Sequence, residues 1–178
     1  MKPLGITILL LVIAAFLGSQ ALYAQQSPPP NPCEADENFR AFDFWLGKWN
    51  VSVKSTGQNA GVNTITVIED GCALLEQWQS ANGTTGQSIN YYNPNTEKWR
   101  QVWVARGYSI DMVGGMKDGS MELVGTISYY GNKTDAQIKG IWTPNDDGTV
   151  RQHFLQYNKE TETWDDWFDG TYKRVAED

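Results

Sequence analysis

The chain has 178 residues, with 14 basic and 21 acidic side chains, a single histidine and a formal net charge of −7. That balance argues against nucleic acid and anionic membrane surfaces as partners, because both recruit cationic proteins. Two cysteines and one histidine exclude a two-histidine or Cys-rich metal centre, and no metal site is expected.

Residues 1–24 read as a signal peptide. Lys2 opens the chain, an apolar run from Ile6 to Leu17 follows, and small residues at Ser19, Ala21 and Ala24 offer cleavage after Ala21 or Ala24. The run is short for a bilayer span, so no stable membrane insertion is expected after cleavage; a single anchor is the alternative. The expected location is the periplasm or outside the cell. Loss of Lys2 leaves 13 basic against 21 acidic residues, a net −8.

Residues 25–35 form a linker, with Gln25 to Pro32 polar, Pro-rich and extended. Cys33 closes it. In an exported chain Cys33 and Cys72 are expected to pair as a disulfide around a loop of about forty residues. Two unpaired thiols are the alternative.

The folded domain is expected over residues 36–176. A short helical turn at Asp36 to Phe42, with Asp36 as its cap, precedes the strands. Then comes an aromatic knot, Phe42-Asp43-Phe44-Trp45-Leu46-Gly47-Lys48-Trp49-Asn50-Val51. In a barrel, a Gly-x-Trp on the first strand plugs one end: the glycine lets backbones approach and the indole covers the interior.

Period-two runs follow near 48–55, 62–69, 73–80, 86–93, 97–106, 108–113, 120–127, 135–143, 149–158 and 163–174. Turn signals such as Asp70-Gly71, Asn93-Pro94, Asp118-Gly119 and Asp147-Gly148 separate them. The fold class is therefore all-β, a single antiparallel up-and-down barrel of about ten strands. A barrel plugged at one end is a cup, and cups hold ligands.

A weak repeat sets register. Tyr92 to Trp99 resembles Tyr157 to Trp164, both as hairpin tips with Tyr opposite Trp. Asn90 then faces Gln101 and Ser88 faces Trp103; in the second hairpin Leu155 faces Asp166 and His153 faces Phe168, and a bulge would shift these pairs.

The candidate ligand-binding residues follow from these faces. Glu76 shares one with Trp78, while Ser88, Asn90 and Gln101 share one with Tyr92, Trp99 and Trp103. Polar groups on an aromatic face need partners. They form a self-satisfying network, contact a ligand, or face solvent. His153 completes the set, as a satisfied histidine, a haem ligand, or an acid–base partner of Asp166 or Glu76. No catalytic residue is assigned: the chain has no Gly-x-Ser-x-Gly elbow, phosphate loop or Cys-x-x-Cys.

The stretch Phe42-Asp43-Phe44-Trp45-Leu46-Gly47-Lys48-Trp49 resembles the opening of an uncharacterised family of exported bacterial proteins, a domain of unknown function whose members carry a Cys shortly before the knot. The resemblance continues through Gly71 to Trp78, Gly86 to Tyr92, Lys98 to Val104, Asp147 to Gln152 and Phe168 to Tyr172. More distantly, Gly47-Lys48-Trp49 is similar to the Gly-x-Trp of calycins, namely lipocalins, fatty-acid-binding proteins and haem-binding nitrobindins. That likeness implies a calycin-like barrel. Nitrobindin-like haem binding would place a histidine near the C-terminal strands, where His153 sits, but the rest of that pattern is lacking and no cofactor is carried over.

Three functions are weighed. The leading one is binding of a small, partly apolar molecule, with Trp45 and Trp49 closing one end, Trp78, Tyr92, Trp99 and Trp103 lining the cup, and Glu76, Ser88, Asn90 and Gln101 orienting the ligand. The second is an enzyme in the same cup, using Glu76 or His153 with Asp166 as acid–base groups. The third is a ligand-free structural or interaction module of the cell envelope.

Overall fold

The computed structural model describes residues 30–176; the expected signal peptide, residues 1–24, lies outside the described residues. Ten strands follow in order: β1 (Gly47–Val53), β2 (Asn59–Ile68), β3 (Ala73–Ser80), β4 (Thr85–Asn93), β5 (Lys98–Ala105), β6 (Tyr108–Lys117), β7 (Ser120–Tyr129), β8 (Thr134–Pro144), β9 (Val150–Asn158) and β10 (Thr163–Arg174). Each pairs antiparallel with its sequence neighbours, and β1 pairs with β10 to close the barrel. Closure removes the sheet edges, so the ladder is satisfied all the way round. No helix among the described residues is long and apolar enough to cross a membrane.

Alternation produces the wall. On β4, Gly86, Ser88, Asn90 and Tyr92 are buried while Thr85, Gln87 and Ile89 are exposed. On β5, Trp99, Gln101 and Trp103 are buried between exposed Lys98, Val102 and Val104. The β4–β5 register is the expected one: Tyr92 opposite Trp99, Asn90 opposite Gln101, Ser88 opposite Trp103.

The β9–β10 hairpin departs from expectation part-way. Tyr157 faces Trp164 and Leu155 faces Asp166, but a bulge follows, so Phe168 faces Phe154 and Asp169 faces His153. One extra residue on β10 turns both Trp167 and Phe168 towards the interior. The expected pairing of His153 with Phe168 is thereby overturned.

One end of the barrel is closed by the N-terminal segment. Residues 31–35, expected as linker, instead include a helical turn, α1 (Pro32–Ala35), capped by the Asn31 side chain accepting from the Cys33 amide. The expected disulfide, Cys33–Cys72, pins this turn to the β2–β3 connection. Asn31 Nδ2 also donates to the Asp70 carbonyl at 2.6 Å, and Arg40 donates to the Gly71 carbonyl. Two 3-10 turns follow, Glu37–Arg40 and Asp43–Trp45, the first capped by Asp36 as expected.

These turns lay the aromatic knot across the opening. Phe42 stacks on Trp45 at 4.9 Å between centroids and meets Trp99 and Trp142 edge-on at 5.6 and 5.3 Å. Trp49 Nε1 donates to the Trp45 carbonyl at 2.9 Å. Phe42, Trp45, Trp49 and Trp142 are fully buried, each contributing roughly 2–3 kcal/mol by removal from water. Gly47 has φ +119°, a conformation suited to glycine, and the Arg174 guanidinium sits where its side chain would stand. Arg174 in turn stacks over the Trp49 ring at 4.3 Å and donates to the Leu46 carbonyl at 2.8 Å.

Candidate functional site

Away from the plug, the barrel keeps a cavity of about 140 Å3. Its aromatic walls are Trp78, Trp103, Tyr108, Phe154, Trp167 and Phe168; Ile110 adds an aliphatic surface, and Glu76, Gln101, Gln152 and Tyr172 supply polar groups. Strand alternation sets each of these. Glu76 and Trp78 are two apart on β3, Gln101 and Trp103 two apart on β5, and Gln152 and Phe154 two apart on β9. Glycines make room for the rings. A Cβ on Gly86 would overlap the Trp103 indole, and one on Gly140 would lie 2.6 Å from Phe154.

A hydrogen-bonded chain runs through the interior. Asn63 Nδ2 donates to Glu76 Oε1 at 2.7 Å and to the Tyr172 hydroxyl at 3.2 Å, and that hydroxyl donates to Gln152 Oε1 at 2.5 Å. On the other side, Ser88 Oγ donates to Glu76 Oε2 at 2.6 Å, and Asn90 Nδ2 donates to Ser88 Oγ at 2.8 Å. Gln101 Nε2 then donates to Asn90 Oδ1 at 2.7 Å.

Burial sets the electrostatics. Desolvation pushes the Glu76 carboxyl up to about 7, against the smaller opposing effect of hydrogen bonds from Ser88 and Asn63. The Tyr172 phenol is held well above its usual range by burial and then by the Glu76 charge, so it stays a hydroxyl donor.

The expected residues divide into four groups. Glu76, Trp78, Gln101 and Trp103 line the cavity. Ser88 and Asn90 stand behind them, buried and bonded to Glu76 and Gln101. Tyr92 and Trp99 belong to the closed end instead: Tyr92 meets Phe39 edge-on at 5.3 Å, and Trp99 Nε1 donates to the Asn38 carbonyl at 3.1 Å.

His153 does not line the cavity. It alternates with inward Gln152 and Phe154 and so faces out, its Nε2 2.7 Å from Asp166 Oδ1 and its Nδ1 3.2 Å from Arg151 Nη2. The expected partnership with Asp166 exists, but on the outer wall. It cannot serve a substrate in the cup, and His153 offers no axial ligand to a haem held there. Among the described residues no group of three or more His, Cys, Asp and Glu could hold a metal ion.

No family model matches the chain, and no curated protein matches it.

Several lining residues were not anticipated. Gln152 on the wall, and Asn63 behind it bonded to Glu76, were legible in principle, since each lies two residues from a buried apolar neighbour, Phe154 and Ile65. Trp167 was not, because only the bulge brings it inside.

The site can hold a small molecule between aromatic faces and offer it hydrogen bonds. Among the described residues Gln101 Oε1 and Gln152 Nε2 make no hydrogen bond, although their opposite amide atoms do. Both side chains line the cavity.

Proposed function

We propose that this protein is an exported binding protein that holds a small, partly apolar molecule in its aromatic cup. The observation that carries the reading is the cavity itself, whose aromatic walls meet a polar chain with amide atoms to spare. A solid core would have used those atoms internally. The volume of about 140 Å3 suits a ligand near the size of benzene, which fills an apolar cavity of about 150 Å3. Export is supported by the leader pattern at residues 1–24 and by the disulfide, a bond favoured outside the reducing cytosol. The resemblance of the Phe42 to Trp49 knot to an exported family, and of its Gly-x-Trp to calycins, agrees with that reading.

Native mass spectrometry of the mature protein from its own host's envelope tests it. The expected result is a reproducible small added mass, lost in an Ile110→Phe variant that fills the cavity. A bare mass under conditions that preserve weak complexes, together with no binding across a panel of monocyclic compounds, would overturn it.

A second reading, an enzyme in the same cup, is favoured by one observation: a carboxyl raised to about 7 is suited to general acid or base work near neutrality. Under that reading Glu76 acts alone, and an incubated compound is recovered altered. A ligand-free module would be favoured by a collapsed interior together with an exposed apolar patch, and the cavity counts against the first of these.

A further inference from the structure

Among the described residues, the buried Glu76 carboxyl has no basic partner. The other carboxylates among the described residues that pair with bases do so on the outer wall or in the N-terminal segment: Asp111 with Arg100, Asp169 with Arg151, Asp166 with His153, Glu122 with Lys117 and Lys139, Asp43 with Arg40. Among the described residues no Lys, Arg or His lines the cavity. The groups packed around Glu76 are Asn63 from β2, Ser88 from β4, Gln101 from β5, Tyr108 from β6, Gln152 from β9 and Tyr172 from β10. None of them is cationic.

The donors that reach Glu76 are already spent, although Gln152 Nε2 and Trp103 Nε1 stay unused elsewhere on the wall. Both Asn63 amide protons are used, as are the Ser88 and Tyr172 hydroxyl protons. Left over as acceptors are Gln101 Oε1, the unpartnered Asn63 Oδ1, and the second lone pair of each Glu76 oxygen. The walls are Trp, Tyr and Phe rings, whose faces attract cations.

We propose, resting on the cup reading above, that the cavity selects small organic ammonium ions, with the cationic head on Glu76 and Gln101 and the body among Trp78, Trp103 and Tyr108. An ammonium supplies the positive charge that the site lacks, together with up to three donors for the unused acceptors on Glu76 and Gln101. It replaces the missing counter-ion of Glu76 and lies against aromatic faces. The mature chain's net −8 raises the local concentration of such cations. Selectivity has a definite pH signature. The ammonium needs ionised Glu76, so binding displaces the Glu76 proton to solvent when that carboxyl is protonated. Affinity therefore rises with pH through about 7 and levels off until the ligand amine loses its own proton.

Titration calorimetry of the mature protein with benzylamine and with benzyl alcohol, nearly isosteric probes, tests this. The expected result is benzylamine bound at least tenfold tighter than the alcohol at pH 8. Its affinity should drop about tenfold at pH 6, following the ionised fraction of a carboxyl that titrates near neutrality. Proton release near pH 7, read from buffers of different ionisation enthalpy, should accompany amine binding and not alcohol binding. Glu76→Gln should erase the preference for the amine while keeping the alcohol; should that variant not fold, the wild-type pH profile and proton release decide. Alcohol bound as tightly as amine at pH 8 would overturn the inference and leave the cup standing. Binding of neither probe, nor of other monocyclic compounds, would overturn both.

Discussion

A carboxyl enclosed by Asn63, Ser88 and Tyr172 resists ionisation because burial removes the water that would stabilise its charge. In the unfolded chain the same group titrates near 4.5, and in the folded barrel near 7. Between those values the folded state holds a proton that the unfolded state has released. The stabilisation is complete below the unfolded value and is lost as pH rises through the folded one. Stability should therefore fall by about 3 kcal/mol between pH 4.5 and 7. Asp111 and Asp169, held low by Arg100 and Arg151, act in the opposite sense in a more acidic range. Urea unfolding of the wild type across this window should show the decline, and Glu76→Gln should flatten it. A flat wild-type profile would mean that Glu76 is ionised and stabilised in the fold. That Glu76 shares a face with Trp78 was legible from their spacing; its partner Asn63, and Tyr172 which Asn63 also bonds, were not, because they lie 13 and 96 residues away in sequence.

At the scale of elements, the N-terminal segment and the β10 bulge do the most to shape the cup. The segment carries Phe39, Phe42 and Trp45 over one end and is tied down by Cys33–Cys72. Reduction should lower stability by about 2–4 kcal/mol, seen as a lower melting temperature with the strand signal retained below it. No change on reduction would show that packing of the aromatic knot suffices by itself. Trp49→Ala removes a fully buried indole that bonds Trp45, and should cost about 3–5 kcal/mol in chemical unfolding. The β4–β5 hairpin was readable because it is regular, so opposition continues unbroken from Tyr92 and Trp99 to Ser88 and Trp103. The β9–β10 hairpin begins with the same signals, yet the bulge after Asp166 changes every later pair. A one-residue bulge leaves no mark in an alternating pattern whose both faces are partly aromatic.

Across the whole molecule, closure of β1 on β10 decides which face of every strand is inside. Glu76 lies inside and His153 outside, so the two cannot share a substrate. His153→Ala should leave ligand affinity unchanged and cost under about 1 kcal/mol, since its partner Asp166 is largely exposed. Calorimetry with whichever probe the cup binds, alongside a thermal melt, checks both. A marked loss of affinity would mean that the outer wall takes part in binding.

The order of strands and turns, the all-β class, the aromatic plug and the cysteine pair were determined by local pattern. Alternation, turn chemistry and the Gly-x-Trp knot act between near neighbours, so they can be read along the chain. The inside of the barrel was decided only by tertiary structure. Tyr92 and Trp99 share a face with Gln101 and Trp103, but depth along the barrel axis places the first two under the N-terminal segment and the others at the cavity. Depth depends on which end the segment covers and on how all ten strands stagger, and period-two spacing records neither.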